Sequence, residues 1–216
     1  MSRTIARTVL RDQVKDLLVE RILRGELRPG EPLVETRLAQ ELGMSQAPIR
    51  EALRDLELMR LVQSEPFKTA RVREISDDDL LQVFPVRAVL EELASRTVAG
   101  LREADLTPVQ AELDAMRRAV AAGDIRTMLA HDIGFHRAIV EATGNAALLR
   151  SWLATGVETA TAYGVYHTLW EPEEIVRFHE PILETIERGD IRAAATAARE
   201  HVRRTERVVR QRVRER

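Results

Sequence analysis

Apolar positions between residues 35 and 61 recur at the spacing of two short amphipathic helices joined by a tight turn. The apolar face of the first helix consists of Leu38, Ala39 and Leu42. The buried stripe of the second helix consists of Ile49, Ala52, Leu53 and Leu56. Gly43 supplies the left-handed conformation that ends the first helix, and Ser45 is an N-cap residue for the second. The pattern predicts a helix-turn-helix that reads the DNA major groove, although two such helices can also form a hairpin that only packs on itself.

Positions of this helix-turn-helix outside its apolar faces are the candidates for DNA contact. Those at the start of the second helix, where such motifs contact bases and phosphates, are Ser45, Gln46, Ala47 and Arg50. Thr36 and Arg37 open the first helix, where they are placed to hold phosphate.

The flanking sequence predicts that the helix-turn-helix belongs to a winged helix. Residues 8–27 form a third amphipathic helix, which ends before Pro29. Residues 61–64 and 70–72 have the pattern of two short strands around a turn. Lys68 lies at the tip of this ribbon, where it would touch the DNA backbone or minor groove. The alternative for Lys68 is an ordinary solvated loop lysine.

From Ser76 onward the apolar pattern is helical, with no convincing strand. The six predicted segments are 77–100, 105–122, 124–142, 145–167, 172–188 and 190–214. Pro85 inside the first segment is expected to kink it or to shift its start. The predicted fold is therefore mainly α, with an N-terminal winged helix-turn-helix domain over residues 1–75 and a C-terminal six-helix antiparallel bundle over residues 76–216.

Composition sets limits on the chemistry and the location. The chain has 216 residues, enough for two modest domains, and its formal net charge of −2 indicates no partner by itself. It has no cysteine, so thiolate metal sites are excluded, and any metal must be held by His, Asp or Glu. No apolar run suits a membrane span and the N-terminus lacks a signal-peptide core, so we expect a cytoplasmic protein without a membrane partner.

Arginines are concentrated in the last helical segment, at positions 203, 204, 207, 210, 212, 214 and 216. Cations at a helix C-terminus oppose the helix dipole. We therefore expect a solvated helix end there rather than a second nucleic-acid surface.

Histidines of the second domain are the candidates for metal chemistry. Asp132 and His136 are four residues apart and share one helix face. His179 and His201 each fall in an apolar helical stripe and therefore point inward, where an uncompensated polar group is costly. Three inward imidazoles and one carboxylate from three helices suit a metal site inside a bundle. The alternatives are hydrogen-bonded core histidines and an ordinary intrahelical pair of Asp132 with His136.

The first domain resembles the GntR superfamily of bacterial transcription regulators. The matching residues are Gly25-Glu26-Leu27-Arg28-Pro29-Gly30, Glu35, Leu38-Ala39, Gly43-Met44-Ser45 and Pro48-Ile49-Arg50-Glu51-Ala52-Leu53. The resemblance implies that Arg50 is the recognition-helix arginine. The chain departs from the family at Gln46, where an arginine is usual, and at Thr69, where the wing tip usually has glycine. These departures leave the operator sequence and the wing contacts open.

The second domain resembles the ligand-binding FCD domain of the FadR-type branch, and six helices rather than seven resemble its shorter, VanR-like subgroup. The matching residues are Asp132-Ile133-Gly134-Phe135-His136, Thr143-Gly144-Asn145, His179-Glu180-Pro181-Ile182, Ile186-Glu187-Arg188-Gly189-Asp190, Ala194 and His201. The resemblance implies a divalent metal (Zn, Ni or Mn) held by Asp132, His136, His179 and His201. Its open coordination positions would take water or the carboxylate of a small organic acid.

Two further residues are candidates for binding this acid. Arg87 can pair with a carboxylate, and its alternative is an ion pair with Glu91 or Glu92. Asn145 can donate to the same ligand, and its alternative is a helix cap after Gly144.

The combined prediction is a DNA-binding transcription regulator, a repressor, that binds a two-fold symmetric double-stranded operator as a homodimer. A small organic acid bound at or near the metal would control it. A rival hypothesis is a metal-dependent HD-type phosphohydrolase, because His131 and Asp132 form the adjacent pair that names that class; it does not explain residues 8–72. A third hypothesis is a regulator with a metal-free pocket and structural histidines.

Overall fold

The chain folds into two compact units, Met1–Ser76 and Asp77–Arg216. The computed structural model describes residues 2–23, 26–59, 61–64, 69–73, 76–157, 160–161 and 170–215. Within these residues, no helix combines the length and the apolar character that a membrane crossing requires.

The first unit is a three-helix domain with a short β-ribbon. Its helices are α1 (Ser2–Leu23), α2 (Glu35–Glu41) and α3 (Gln46–Leu58), and its strands are β1 (Val62–Gln63) and β2 (Arg71–Val72). Helix α1 packs against α3, and the side chains that fill this core include Val14, Leu18, Ile49, Ala52 and Leu56. Gly43 has φ +65° in the turn between α2 and α3, which is the conformation that its position predicts. The predicted helix-turn-helix is confirmed.

The β-ribbon is antiparallel, with Val62 opposite Val72 and Gln63 opposite Arg71. Both valines are buried and both polar residues are exposed, so the ribbon has one face on the core. The chain before α2 joins its edge, because the Leu33 amide donates to the Ala70 carbonyl. The winged helix is therefore confirmed as a fold. Lys68 at the predicted tip lies outside the described residues.

The second unit is helical. Its described helices are α4 (Asp77–Ala99), α5 (Thr107–Ala121), α6 (Ile125–Ala142), α7 (Ala146–Ala154), α8 (Pro172–Glu187) and α9 (Ile191–Arg214). Helix α4 packs along α9, and α5 packs along α6. One continuous apolar core runs through the unit and includes Trp152, Phe135, Met116, Met128 and Ile182. The mainly α prediction is confirmed.

One detail differs from the prediction for this unit, and a second narrows it. The segment predicted as one helix over 145–167 is interrupted, because α7 ends at Ala154 and Gly156 adopts φ +67°, which does not continue a right-handed helix. Pro85 does not shift the start of α4, which begins at Asp77 and continues past it. A proline within a helix removes one backbone hydrogen bond, but Pro85 lies on the exposed face of α4, and the buried Phe84 and Ala88 anchor the helix on either side of it.

Candidate functional site

Three histidines from three helices meet in the interior of the helical unit. His136 lies on α6, His179 on α8 and His201 on α9, and one ligand atom from each lies within 4.8 Å of the others. Nε2 of His136 and Nε2 of His179 are 3.2 Å apart. His136 and His179 are buried, and His201 is half-buried. The apolar stripes of α8 and α9 therefore turn their histidines to a common point.

Asp132 lies one turn before His136 on the same face of α6 and reaches the same point. Its Oδ1 atom is 3.7 Å from Nε2 of His136 and 3.6 Å from Nε2 of His179. The residue is 3% exposed, and among the described residues this oxygen has no hydrogen-bond partner. A buried acceptor without a donor is costly, so the position requires a cation or a proton.

The outer nitrogen of each histidine faces an acceptor. Nδ1 of His179 donates to the Ile175 carbonyl at 2.8 Å, and Nδ1 of His201 donates to the Phe178 carbonyl at 3.2 Å. Nδ1 of His136 lies 2.9 Å from Oε2 of Glu91, without the alignment of a hydrogen bond. The carbonyl contacts of His179 and His201 place the proton on Nδ1 and leave the lone pair on Nε2, and the carboxylate that faces Nδ1 of His136 favours the same tautomer there. Such outer contacts are typical of histidines that bind metals.

The charge states also suit a divalent cation. Burial lowers the pKa of His136 and holds the pKa of His201 well below its ordinary value, because a charged imidazole loses its hydration there. Burial opposes ionisation of Asp132, but its position beside His179, His136 and Arg87 outweighs burial and lowers the pKa of the carboxyl. The imidazoles of His136 and His201 are thereby kept neutral and the carboxyl of Asp132 is kept ionised, which is the donor chemistry that a divalent cation needs. These residues fit a metal, since lone pairs 3.2 Å apart repel each other without a cation or proton between them.

Glu91 joins the histidine cluster to Arg87. Its Oε1 atom accepts from Nε of Arg87 at 2.5 Å and from Nε1 of Trp152 at 3.1 Å, while its Oε2 atom faces His136. Burial opposes its ionisation, but Arg87 and His136 together hold the pKa of Glu91 well below its usual value. From the sequence, Glu91 is predicted only as a partner of Arg87. The four-residue spacing gave that pair, whereas the contacts with α6 and α7 depend on the fold.

A small cavity lies beside the cluster. Asp132, His179 and His201 form one part of its wall, and Arg87 lies beside them with Nη1 donating to Oγ1 of Thr161 at 2.7 Å. The cavity has a volume of about 30 Å³ within some 440 Å³ of space that includes the solvent at its mouth. The structure therefore places Arg87 beside three of the four predicted metal ligands, and also in the ion pair with Glu91 that was its alternative.

Other candidates lie elsewhere or in different surroundings. Asn145 is exposed and is not part of the described cavity wall; its Oδ1 accepts from the Ala147 and Leu148 amides and caps α7. His131 is partly exposed, with Nδ1 2.7 Å from Glu112, so the pair expected of a phosphohydrolase is not assembled. Arg204, expected at a solvated helix end, is half-buried and lines the cavity.

The DNA-contact candidates lie on the surface of the first unit. Thr36, Arg37, Ser45, Gln46 and Arg50 are exposed, and Ala47 is half-buried. Ser45 is the N-cap of α3, although its side chain makes no capping hydrogen bond.

Arg50 is not a free side chain on this surface. Its Nη2 and Nε atoms donate to Oε2 of Glu35 at 2.8 and 3.0 Å, across the turn from α3 to the first residue of α2. Glu35, Gln46 and Arg50 border a concave region that extends to Thr69 on the ribbon side. The surface thus has the shape of a groove with a restrained guanidinium on its wall.

Comparisons with known proteins match both units. The sequence pattern of bacterial regulatory proteins of the gntR family matches residues 10–72, and that of the FCD domain matches residues 82–204. A probable D-xylose utilization operon transcriptional repressor of Paenarthrobacter nicotinovorans is 35% identical over 201 residues, covering 93% of this chain and 89% of the relative. A Glc operon transcriptional activator of Escherichia coli (strain K12) is 28% identical over 207 residues, covering 84% and 82%. The solved structure of E. coli McbR/YncC has a TM-score of 0.72 at 23% identity and covers 94% of this chain and 98% of its own, which supports the fold.

Proposed function

This chain belongs to the GntR family of bacterial regulatory proteins and carries an FCD domain, and on that premise we propose that a small carboxylate bound at a divalent metal controls its activity. It is a DNA-binding transcriptional regulator and not an enzyme. The rival hypothesis of an HD-type phosphohydrolase is therefore wrong. The proposal concerns what the helical unit senses and how that unit acts on DNA binding.

The proposal rests on one observation: buried acceptor atoms of several side chains lie close together without hydrogen-bond donors. Nε2 of His136 and Nε2 of His179 face each other at 3.2 Å, and the unpaired Oδ1 of Asp132 lies within 3.7 Å of both. His201 completes the set. A divalent metal bound by these four residues would supply the main attraction for a carboxylate. Zn, Ni and Mn all accept this donor set.

Arg87 is the residue that we propose to orient the effector. It lies in the cavity wall with Asp132 and His179, and Glu91 and Thr161 hold its guanidinium in place. A guanidinium restrained in this way loses little freedom when a carboxylate binds. Small organic acids, with and without hydroxyl groups, are therefore the first members of a ligand panel.

On DNA, we propose a homodimer that places one α3 helix in each half of a two-fold symmetric operator, about one helical turn apart. Arg50 and Gln46 would contact bases, while Arg37 and Thr36 would contact phosphate. The effector can change operator affinity only through its different affinities for the DNA-bound and free arrangements. We propose repression that the effector relieves, as the repressor-named relative suggests.

Metal content tests the proposal. The protein would be purified without chelator or nickel resin and analysed by plasma mass spectrometry as wild type, His179→Ala and His131→Ala. We expect near-equal metal and chain in the wild type, loss of the metal in His179→Ala, and retention in His131→Ala, whose side chain faces Glu112 instead. Far-UV circular dichroism would verify that each variant is folded.

Operator binding by the same variants completes the test. We expect His179→Ala to bind a selected operator duplex as the wild type does, and to lose any response to small acids. Protein without metal in all three forms would refute the metal site and leave the hypothesis of a metal-free pocket. Loss of operator binding by folded His179→Ala would contradict the separation of sensing from DNA contact.

A further inference from the structure

Arg204 lies at the wall of the effector cavity in an arrangement that differs from its neighbours on α9. Its guanidinium carbon is 3.8 Å from the centre of the Phe178 ring, and Trp170 and Phe178 pack against each other in a T-shaped pair. Stacking on an aromatic face fixes the plane of a guanidinium and leaves its N–H donors available at the edge. Arg204 is therefore restrained before any ligand arrives.

Neighbouring arginines on the same helix have carboxylate partners. Arg203 and Arg207 lie 3.9 and 3.2 Å from Glu200, and Arg210 lies 2.6 Å from Glu206. Among the described residues, no carboxylate comes within ion-pair distance of Arg204, which contacts Phe178 and borders the cavity. A counter-ion for this half-buried charge can therefore bind in the cavity.

The charges around the cavity leave Arg204 uncompensated after one acid group has bound. Glu91 already balances Arg87, and a carboxylate of the effector would be attracted mainly by the metal held beside Asp132. A monoacid in that position would leave Arg204 without a counter-ion. A second acid group on the same ligand would pair with it through charge-assisted hydrogen bonds.

We propose that Arg204 recognises a second acidic group of the effector, so that this regulator prefers small dianionic acids to monoacids of equal chain length. The inference rests on the proposed function, because it assumes that one carboxylate binds at the metal and Arg87. Thr205, which also borders the cavity, is placed to assist at the same end. The ligand class is thus a short dicarboxylate, with or without hydroxyl groups.

Matched acids test this preference by titration calorimetry on the metal-loaded full chain. The pairs are succinate with butyrate, and glucarate with gluconate, which differ mainly in the second carboxylate. We expect each dianion to bind the wild type at least about tenfold more tightly than its monoanion, as charge-assisted hydrogen bonds allow. In Arg204→Met the ratio of dianion affinity to monoanion affinity should fall to near one, while the monoanion affinity itself changes by less than about twofold.

Two further variants keep the result interpretable. Arg204→Lys retains the charge and should retain part of the preference, and Arg203→Met removes a neighbouring exposed arginine and should leave all four affinities unchanged. Equal binding of dianion and monoanion by the wild type, or a ratio that persists in Arg204→Met, would overturn the inference. If monoanions bind equally well and are lost in His179→Ala, the proposed function stands without it. If none of the four acids binds, both fail.

Discussion

Arg50 lies on the proposed DNA-contact surface as one half of an ion pair. Two of its nitrogens donate to the Glu35 carboxylate, and both side chains are partly exposed. A carboxylate in this position restrains the guanidinium, which favours a directed contact with a guanine edge. It also repels phosphate, so it weakens binding to DNA of arbitrary sequence. Glu35 is therefore a candidate for a residue that increases sequence discrimination without contacting a base itself.

Replacing Glu35 by Gln should reduce the discrimination between operator and non-specific DNA more than it reduces the affinity for the operator. We expect non-specific DNA binding to strengthen about two- to fivefold, because one negative charge near the phosphates is removed. The ratio of specific to non-specific affinity should fall. Fluorescence anisotropy with a selected operator duplex and a scrambled duplex, at one salt concentration, measures both quantities.

Glu41→Gln is the matched control for this change. It removes another arginine–glutamate ion pair of the same unit, 2.7 Å to Arg21, from the opposite end of α2. We expect its specificity ratio to equal that of the wild type. If both affinities of Glu35→Gln shift by the same factor, Glu35 acts only as a charge and does not orient Arg50.

At the scale of the helices, the start of α7 depends on one side chain. Oδ1 of Asn145 accepts from the Ala147 and Leu148 amides at 3.0 and 3.1 Å, and these donors have no partner inside the helix. Asn145→Ala should lower the free energy of unfolding by about 1 kcal/mol, whereas Asn145→Asp should retain the cap. Urea unfolding followed by tryptophan fluorescence measures this, because Trp152 lies on α7.

The same variant separates the two roles considered for Asn145. A cap residue that is exposed and away from the cavity should not affect ligand binding. Metal content and acid affinity should therefore be unchanged in Asn145→Ala. A loss of acid affinity with unchanged stability would mean that the side chain contacts the effector.

The elements of this fold could be predicted from sequence because their signals are local. Gly43 ends a helix through its own backbone conformation, and the alternation around Val62 and Val72 gives a ribbon with one buried face. Spacing of four also placed Asp132 and His136 on one face of α6, and the structure brings His179 and His201 to them. Metal binding by these residues remains a prediction.

Features that depend on packing between distant segments could not be found in this way. Glu91 has a predictable partner in Arg87, but its contacts with His136 and Trp152 require α6 and α7 to lie against α4. Arg204 looks like any arginine in a basic helix end, and only Phe178 on α8 distinguishes it. Gly156 interrupts a segment whose apolar pattern continues on both sides.

At the scale of the whole molecule, the proposed homodimer has a consequence for salt dependence. Each phosphate contact releases counter-ions, so operator affinity falls with salt at a slope of about −0.9 per contact in a plot of log affinity against log salt. A dimer on a two-fold symmetric operator makes every such contact twice. One substitution in the chain should therefore remove two contacts.

Arg37→Gln should make this slope less negative by about 1.8, because Arg37 is exposed at the start of α2, where we propose a phosphate contact in each half-site. Arg203→Gln removes the same charge from the helical unit and should leave the slope unchanged. Operator titrations at several sodium chloride concentrations measure both slopes. A change of about 0.9 would indicate that one protomer makes the contact, which contradicts the symmetric dimer, and no change would place Arg37 away from phosphate.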